Sequence, residues 1–442
     1  MSDKLQPVRG THDILPDDFE KFHWFVEDAR QLATLYGFRE MATPIFEQTE
    51  VFSRSMGESS DVVSKEMFTF ETRGGESVTL RPEFTAGIAR AFISNGMQQN
   101  LPLKLFSTGP LFRYERPQKG RQRQFHQVNF EWLGDDSWMA DVEVIALAAT
   151  LLYGLSKQNC TLHINSLGDV ESRNNYRNAL VAYLTPFLDK LSEDSKRRLT
   201  QNPLRILDSK DGGDREILKN APLMTDYLSA ESKERLDKVC KALQDKSRTI
   251  SQNIIIDPTL VRGLDYYNGI VFEFVANTGE IGAQNTVLAG GRYDGLIEEM
   301  GGKSTPAIGF AAGIERLLLL VDNEDFWVKP KDLKIYILPE EDPKVDKILI
   351  LSLADSLRFC ISDILKKEKI KRLCSVEILW QGSQKKKMEK ANKQEATHVI
   401  LFSAHEAERR VYIIKDMKNG EQKEATAADF VNAKKLAEIF GI

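Results

Sequence analysis

Cysteine is scarce in this chain: Cys160, Cys240, Cys360 and Cys374 are the only four in 442 residues, and no two form a CxxC pair. The six histidines contain no HExxH. A disulfide framework is therefore excluded as the organising principle, structural zinc is not expected, and a reducing cytoplasm fits. Long hydrophobic runs are also missing; 317–321 reads as a buried helix segment, far below the roughly 18 apolar residues of a membrane span. No membrane association is expected. The opening MSDKLQPVRG has neither an apolar core nor a cleavage site, so no export is expected. Neither GxxxxGKS nor GxGxxG occurs, which removes the Walker loop and the Rossmann turn as phosphate sites. Repeats and low-complexity tracts are absent too.

What is present suffices for two or three ordinary cores: 42% of residues are hydrophobic and 28% charged. Over the first 165 residues amphipathic helix and strand signals alternate, with helices read at 19–35 and 85–94, the latter capped by Thr85, and strands at 77–80 and 103–114. Polar helical stretches such as SAESKERLDKVCKALQDK fill 170–250 and read as an inserted helical domain. Strand signals return at 253–256, 260–275 and 286–289, followed by an apolar helix at 314–321 and a linker at 322–332. The remainder alternates KIYILP, a helix at 345–367, CSVEILW, KKKMEKANK, THVILFS, RVYIIK and a last helix, the pattern of a small α/β domain. The expected division is 1–169 and 251–325 for one interrupted core, 170–250 for the insertion and 331–442 for the last domain.

Net charge is −5, yet FRYERPQKGRQRQFHQ, 112–127, places Arg113, Arg116, Lys119, Arg121 and Arg123 within eleven positions. Residues 330–442 are also mildly basic, with 22 Lys and Arg against 18 Asp and Glu. Taken with the two-residue period of a strand, the returning arm puts Arg123, Phe125, Gln127, Asn129 and Glu131 on one face and His126, Val128, Phe130 and Trp132 on the other. Guanidinium groups suit polyphosphate, being planar, permanently charged and able to bind two oxygens at once. Phe125 adds a ring for a base to stack on. The combination points to a nucleotide.

Three further stretches carry polar groups in apolar surroundings. In VTLRPEFTAG, 78–87, Glu83 stands at a helix start, where it either binds a cation such as an ammonium or stabilises the helix dipole. In LVRGLDYYNGIVFEF, 260–274, Asn268-Gly269 is a hairpin signal, and a bulge at Gly263 is one way to bring Arg262 and Tyr267 to a common face. In PAIGFAAGIERLLLL, 306–320, Gly309, Ala311 and Gly313 let a planar ligand approach the backbone. Arg316 there sits in the first helical turn, where the dipole disfavours a cation unless something anionic offsets it.

In this order the motifs resemble the bacterial-type histidyl-tRNA synthetases, a family of class II aminoacyl-tRNA synthetases. RGTHDILP opens the resemblance at 9–16; PIFEQTEVF, 44–52, is similar to class II motif 1, a dimer-interface element; 112–127 is similar to motif 2 and AIGFAAGIERL, 307–317, to motif 3. VRGLDYYNG and AGGRYDGL are similar to the family's own signatures. The resemblance implies an α+β protein: an antiparallel-sheet catalytic core with a helical insertion, plus a C-terminal mixed α/β domain of the anticodon-binding kind. It implies ATP-dependent ligation of L-histidine to tRNA(His), ATP as substrate with Mg²⁺ bound mainly through its phosphates, a cytoplasmic homodimer and no membrane.

Residue by residue, the resemblance implies that Arg113 contacts the ATP α-phosphate, that Arg121 and Arg316 hold the β,γ-phosphates, and that Glu115 and Phe125 hold the adenine. Glu83 and Gln127 would bind the histidine amino group with Thr85 nearby; Glu131 and Tyr267 the imidazole, with Tyr293 lining that pocket; and Arg262 the histidine carboxylate and the α-phosphate. Arg262 and Arg113 are thus the expected catalytic residues. Arg116, Lys119 and Arg123 would meet the acceptor end of tRNA or order the loop, and Gln118 would help recognise the tRNA 5′ end. Departures from the family pattern are Phe84, at the edge of the histidine pocket, and Glu395 and Ser403-Ala404, where glycine is usual. A non-catalytic relative, a histidine-sensing regulatory subunit of ATP phosphoribosyltransferase, usually lacks the last domain and loses phosphate-binding arginines; Arg113, Arg121, Arg262 and Arg316 are all present here.

Overall fold

The cationic hairpin forms part of the largest sheet in the structure. The computed structural model describes residues 5–57, 60, 62–155, 160–246, 254–277, 285–321, 332–367 and 374–441, in two compact units, Met1–Phe326 and Trp327–Ile442. Most of the expected linker, 322–331, lies outside the described residues, as does Asn253. In the first unit the strands are β1 (Arg39–Glu40), β2 (Phe46–Gln48), β3 (Phe68–Glu71), β4 (Ser77–Leu80), β5 (Leu103–Phe112), β6 (Gln124–Leu133), β7 (Cys160–Ser166), β8 (Ile254–Ile256), β9 (Asn268–Ala276), β10 (Thr286–Arg292) and β11 (Ala307–Gly313). Eight of them form a sheet in the order β1-β5-β6-β11-β10-β9-β7-β8, antiparallel except for the edge pairs β1–β5 and β7–β8. The other three form a small sheet, β2-β4-β3.

Alternation along the strands divides the large sheet into a packed face and a polar face. On the packed face Phe130 stacks on Phe310 at 4.7 Å and meets Phe106 at 4.9 Å, and each buried ring contributes about 2 kcal/mol by leaving water. Helices Pro16–Leu35, Trp138–Leu155 and Ala230–Lys246 cover this face. Trp138–Leu155 is long and apolar enough to cross a membrane, a feature masked in the sequence because Asp141 and Glu143 interrupt it. Here it is a core helix, with Val144, Ile145, Leu147, Ala148 and Leu152 buried against the sheet.

The 170–246 stretch is helical, with Tyr176, Leu180, Leu184 and Ile206 in a small cluster of their own. Its last helix differs: Leu236, Val239, Cys240 and Leu243 belong to the main core. Arg235 on that helix and Arg292 at the end of β10 both bind the buried Asp141 carboxylate, at 2.7 Å each. This fixes the chain direction at Tyr293, the next residue.

In the second unit β12 (Leu333–Pro339), β13 (Cys374–Ile378), β14 (His398–Phe402), β15 (Tyr412–Asp416) and β16 (Gln422–Ala425) pair in the order β13-β12-β14-β15-β16. Helix Lys347–Lys367 buries Ile350, Leu353, Leu357 and Ile361. The two departures from glycine have visible consequences. Glu395 takes φ +59°, a left-handed conformation that costs a non-glycine residue about 1 kcal/mol. Ser403 instead starts the short helix Ala404–Arg409 in a capping box with Glu406. That helix and β16 are too short and polar for periodicity to reveal.

Candidate active site

The register of the sheet builds the floor of a cavity of about 670 Å³. Across one row, Glu131 on β6 pairs with Gly309 on β11, and Gly309 with Gly291 on β10. A Cβ at Gly309 would lie 1.7 Å from Glu131 Oε2, and one at Gly291 would lie 3.0 Å from Tyr267 Cδ1. Glycine at both positions is what leaves room for Glu131 and Tyr267 beside the backbone. The next row runs from Asn129 through Ala311 and Ala289 to Glu273, again with small side chains in the middle. Gln127 and Gly313 follow. The expected face holds for Phe125, Gln127, Asn129 and Glu131, which all line the cavity.

At the Glu131 end, both carboxylates are held. Glu131 Oε1 accepts from the Thr85 hydroxyl at 2.5 Å and from Asn129 Nδ2 at 3.0 Å, and Oε2 accepts from the Tyr293 hydroxyl. Burial pushes the Glu131 carboxyl up to about 7, against these hydrogen bonds, which favour the charged form. Glu83 accepts from the backbone N–H groups of Thr85 and Ala86, both at 2.6 Å, so it caps helix Thr85–Ser94. Burial raises its pKa as well. Thr85 is therefore not the cap: Phe84 occupies the N-cap position, a carboxylate two residues before Thr85 is the stronger acceptor for free N–H groups, and the threonine hydroxyl is left for Glu131. Tyr293 is buried and meets the cavity through Glu131. Tyr267 and Tyr266 do line it, their rings 4.6 Å apart, and burial holds Tyr267 at about 12, a neutral donor. Phe84 packs in the apolar cluster below the Arg81 guanidinium, 4.5 Å from its ring centre.

The other end is cationic. Arg113 donates to the Pro82 carbonyl at 2.9 Å and lies 5.5 Å from the Phe125 ring centre; its other neighbour is Glu115, at 3.9 Å. Arg121 reaches the same Glu115 at 3.1 Å. Arg316 is lowered to about 10, first by burial and then by Arg121 beside it. Gly120, at φ +70°, packs against the Arg316 stem, closing the hairpin over it. At the tip Gln118 and Arg121 exchange backbone hydrogen bonds, and Arg116, Gln118 and Lys119 are exposed. Arg123 does not share the face of Phe125. It lies before β6, its guanidinium 3.7 Å from the Tyr114 ring centre and its backbone bound to Gly10. Strand alternation does not extend to a residue outside the ladder.

Arg262 and Tyr267 come from an irregular loop, 260–267, rather than a strand. Asn268-Gly269 is not a hairpin turn: it begins β9, with Gly269 at φ +57° beside a register shift opposite Arg292. Alternation and a bulge at Gly263 are therefore not what brings the two side chains to the cavity; the loop does. Arg262 binds Glu273 at 3.0 Å. Glu273 is a partner that sequence reasoning missed, although a lone acid in the apolar run VFEFV was its signal. For Asn129 the strand period gives the face but no role. Leu207, Asp208, Lys210 and Arg215, from the helical stretch, also line the cavity and had no local signal.

The chain matches the family model described as Histidyl-tRNA synthetase over residues 10–317. It is 48% identical over 420 residues to a histidine–tRNA ligase of Rhodospirillum rubrum, covering 95% of this chain and 96% of that one. It is 46% identical over 426 residues to one of Gluconobacter oxydans, covering 96% and 97%. Among solved structures, apo histidyl-tRNA synthetase of S. aureus aligns with a TM-score of 0.78 at 33% identity, covering 98% of this chain and 100% of that one. A Bacillus halodurans structure titled as an ATP phosphoribosyltransferase regulatory subunit/histidyl-tRNA synthetase shares the fold, with a TM-score of 0.60 at 22% identity, covering 90% and 98%. With its cavity built on the motif residues and its relatives matching along almost the whole length, this chain belongs to the histidyl-tRNA synthetase family.

Proposed function

We infer that the chain ligates L-histidine to tRNA(His) through a histidyl-adenylate. The histidine carboxylate attacks the α-phosphorus of ATP and pyrophosphate leaves; the terminal ribose hydroxyl of the tRNA then attacks the adenylate carbonyl and AMP leaves. The observation that carries this reading is one cavity with a buried carboxylate and a neutral phenol at one end and arginines at the other. Glu131 accepts an imidazole N–H while the Tyr267 hydroxyl serves the other ring nitrogen. An amino acid without that donor and acceptor leaves the remaining Glu131 lone pair and the Tyr267 hydroxyl without their imidazole partners, which costs on the order of 10⁴ in selectivity. Glu83 and Gln127 receive the ammonium; each Glu83 oxygen keeps a lone pair beyond its backbone bond.

On the phosphate side Arg113 and Arg262 neutralise the α-phosphate and Arg121 and Arg316 the β,γ-phosphates, with the adenine between Glu115 and Phe125. Phosphoryl transfer rests mainly on positioning and charge neutralisation, so no protein base is required. ATP enters as its Mg²⁺ complex. Arg116, Gln118 and Lys119 are exposed on the hairpin tip, where they suit the acceptor end of tRNA. The contacts of Arg123 with Tyr114 and Gly10 favour loop ordering as its role. Ile45, Phe46 and Phe70 are exposed at 46%, 55% and 47% around the 44–52 segment, supporting a homodimer through that surface. A cytoplasmic location follows from the substrates.

The test is exchange of labelled pyrophosphate into ATP. Exchange should require histidine, and the same protein should esterify histidine to tRNA(His). Histidine binding without exchange would favour the regulatory-subunit reading instead.

A further inference from the structure

The loop that presents Arg262 and Tyr267 has no ladder of its own between Gly263 and Tyr267. Its polar groups are met by side chains of the helical stretch 170–246. Arg205 Nη1 donates to the Gly263 carbonyl at 2.9 Å, Asn202 Nδ2 to the Asp265 carboxylate at 2.7 Å, and Arg173 Nη1 to the Tyr267 carbonyl at 3.1 Å. Arg205 is only 8% exposed, an unusual position for an arginine unless a specific acceptor requires it. The Arg205 carbonyl is in turn held by Arg198 Nη1 at 3.2 Å. On its other side the Asp265 side chain lies close to Gly57: a Cβ there would be 2.4 Å from Asp265 Oδ2. The Asp265 side chain thus lies between Gly57 and Asn202 of the helical stretch.

We propose that the helical insertion acts in amino-acid activation, before any tRNA is bound, with Arg205, Asn202 and Arg173 as positioning residues that set Arg262 and Tyr267 against the substrate. The inference rests on the functional reading above. Three hydrogen bonds onto three alternate residues of a five-residue stretch leave it little freedom, and a misplacement of about 1 Å at reacting groups costs about 10²-fold in rate. Lys210 and Arg215 line the cavity from the same stretch without holding the loop, so the insertion reaches the site in two separable ways.

The experiment is histidine-dependent pyrophosphate exchange without tRNA, with separate KM values for histidine and ATP. Arg205→Ala should lower kcat/KM for histidine by roughly 10- to 100-fold, leave the ATP KM within about twofold, and be partly rescued by Arg205→Lys, which keeps one charged donor. Should Arg205→Ala not fold, Asn202→Asp carries the test, because it sets two carboxylates 2.7 Å apart; Asp265→Asn in the same chain restores the hydrogen bond with its polarity reversed and should recover exchange. A general loosening of the fold would depress both substrates and would show no such rescue. If wild-type protein exchanges normally and these variants keep histidine kcat/KM, losing only tRNA charging, the proposal is overturned and the insertion serves tRNA alone. If wild-type protein itself shows no exchange, the functional reading fails rather than this one.

Discussion

The two ends of the cavity are built on opposite terms. At the end proposed for histidine, Glu131, Thr85, Asn129 and Tyr293 are tied to one another by hydrogen bonds, and Glu83 is tied to a helix start. Asn129 and Glu131 lie on β6, Thr85 opens a helix, Glu83 and Tyr293 sit directly beside a helix start and a strand end, glycines clear space for them, and all but a few per cent of their surface is buried. At the cationic end proposed for the phosphates, Arg113, Arg121 and Arg262 are half-buried on loops or strand ends, and they pair with Glu115 and Glu273, acids that a triphosphate can displace as the arginines' partners. A rigid, satisfied pocket suits discrimination, since a wrong ligand has to leave polar groups unpaired. A loosely paired cationic rim suits a substrate whose charge changes hands during the reaction.

The largest effect should come from filling the space that the rigid end reserves. Gly309→Ala puts a Cβ 1.7 Å from Glu131 Oε2 and 2.5 Å from the Phe130 carbonyl, neither a freely moving neighbour. Histidine kcat/KM in pyrophosphate exchange should fall by about 10³-fold or more, with circular dichroism checking that the sheet is retained. At the adaptable end Arg262→Ala should lower kcat for exchange by about 10²- to 10³-fold with a much smaller change in histidine KM. An effect confined to KM would make Arg262 a ground-state binder and blur the contrast between the ends.

A pH profile sharpens the comparison with a smaller change. Burial holds the Glu131 proton up to about 7, and the charged carboxylate is the form that accepts an imidazole N–H. Histidine kcat/KM should therefore fall about tenfold per pH unit as pH drops below that value. Asn129→Leu deletes a hydrogen bond to the charged form, so the pKa rises and the limb moves to higher pH. The ring ionisation of free histidine cannot move with a change in the enzyme, which separates the two contributions. The same burial makes stability fall as pH rises from the usual carboxylate range to about 7, because the unfolded chain loses this proton first. The smallest effect is expected at Arg123→Ala. It removes the guanidinium from Tyr114, worth about 1 kcal/mol, and should lower Tm by about 1–2 °C while exchange stays within about twofold.

The rigid end was the more legible of the two in the amino-acid sequence. β6 lies in a ladder on both sides, so its two-residue period places Gln127, Asn129 and Glu131 correctly, and the glycines of AIGFAAG mark where the floor must be thin. Where the ladder ends, the period has no hold. Arg123 turns away beside Tyr114, and 260–267, read as a strand because of its aromatic and β-branched residues, is a loop held by partners far along the chain. Those partners, Asn202 and Arg205, lie about sixty residues from the groups they bind. No local pattern encodes such a pairing. Glu273 was lost for a related reason: its meaning depends on Arg262 facing it, which only the folded loop establishes.

The most direct test is the amino-acid dependence of pyrophosphate exchange at saturating ATP. If Glu131 and Tyr267 read the imidazole while the arginines serve every adenylate alike, histidine should exceed glutamine and phenylalanine in kcat/KM by on the order of 10⁴. In Glu131→Gln that ratio should collapse while the ATP KM stays near wild type. Comparable exchange with several amino acids in the wild-type protein, or a Glu131→Gln variant that keeps full selectivity, would contradict the account.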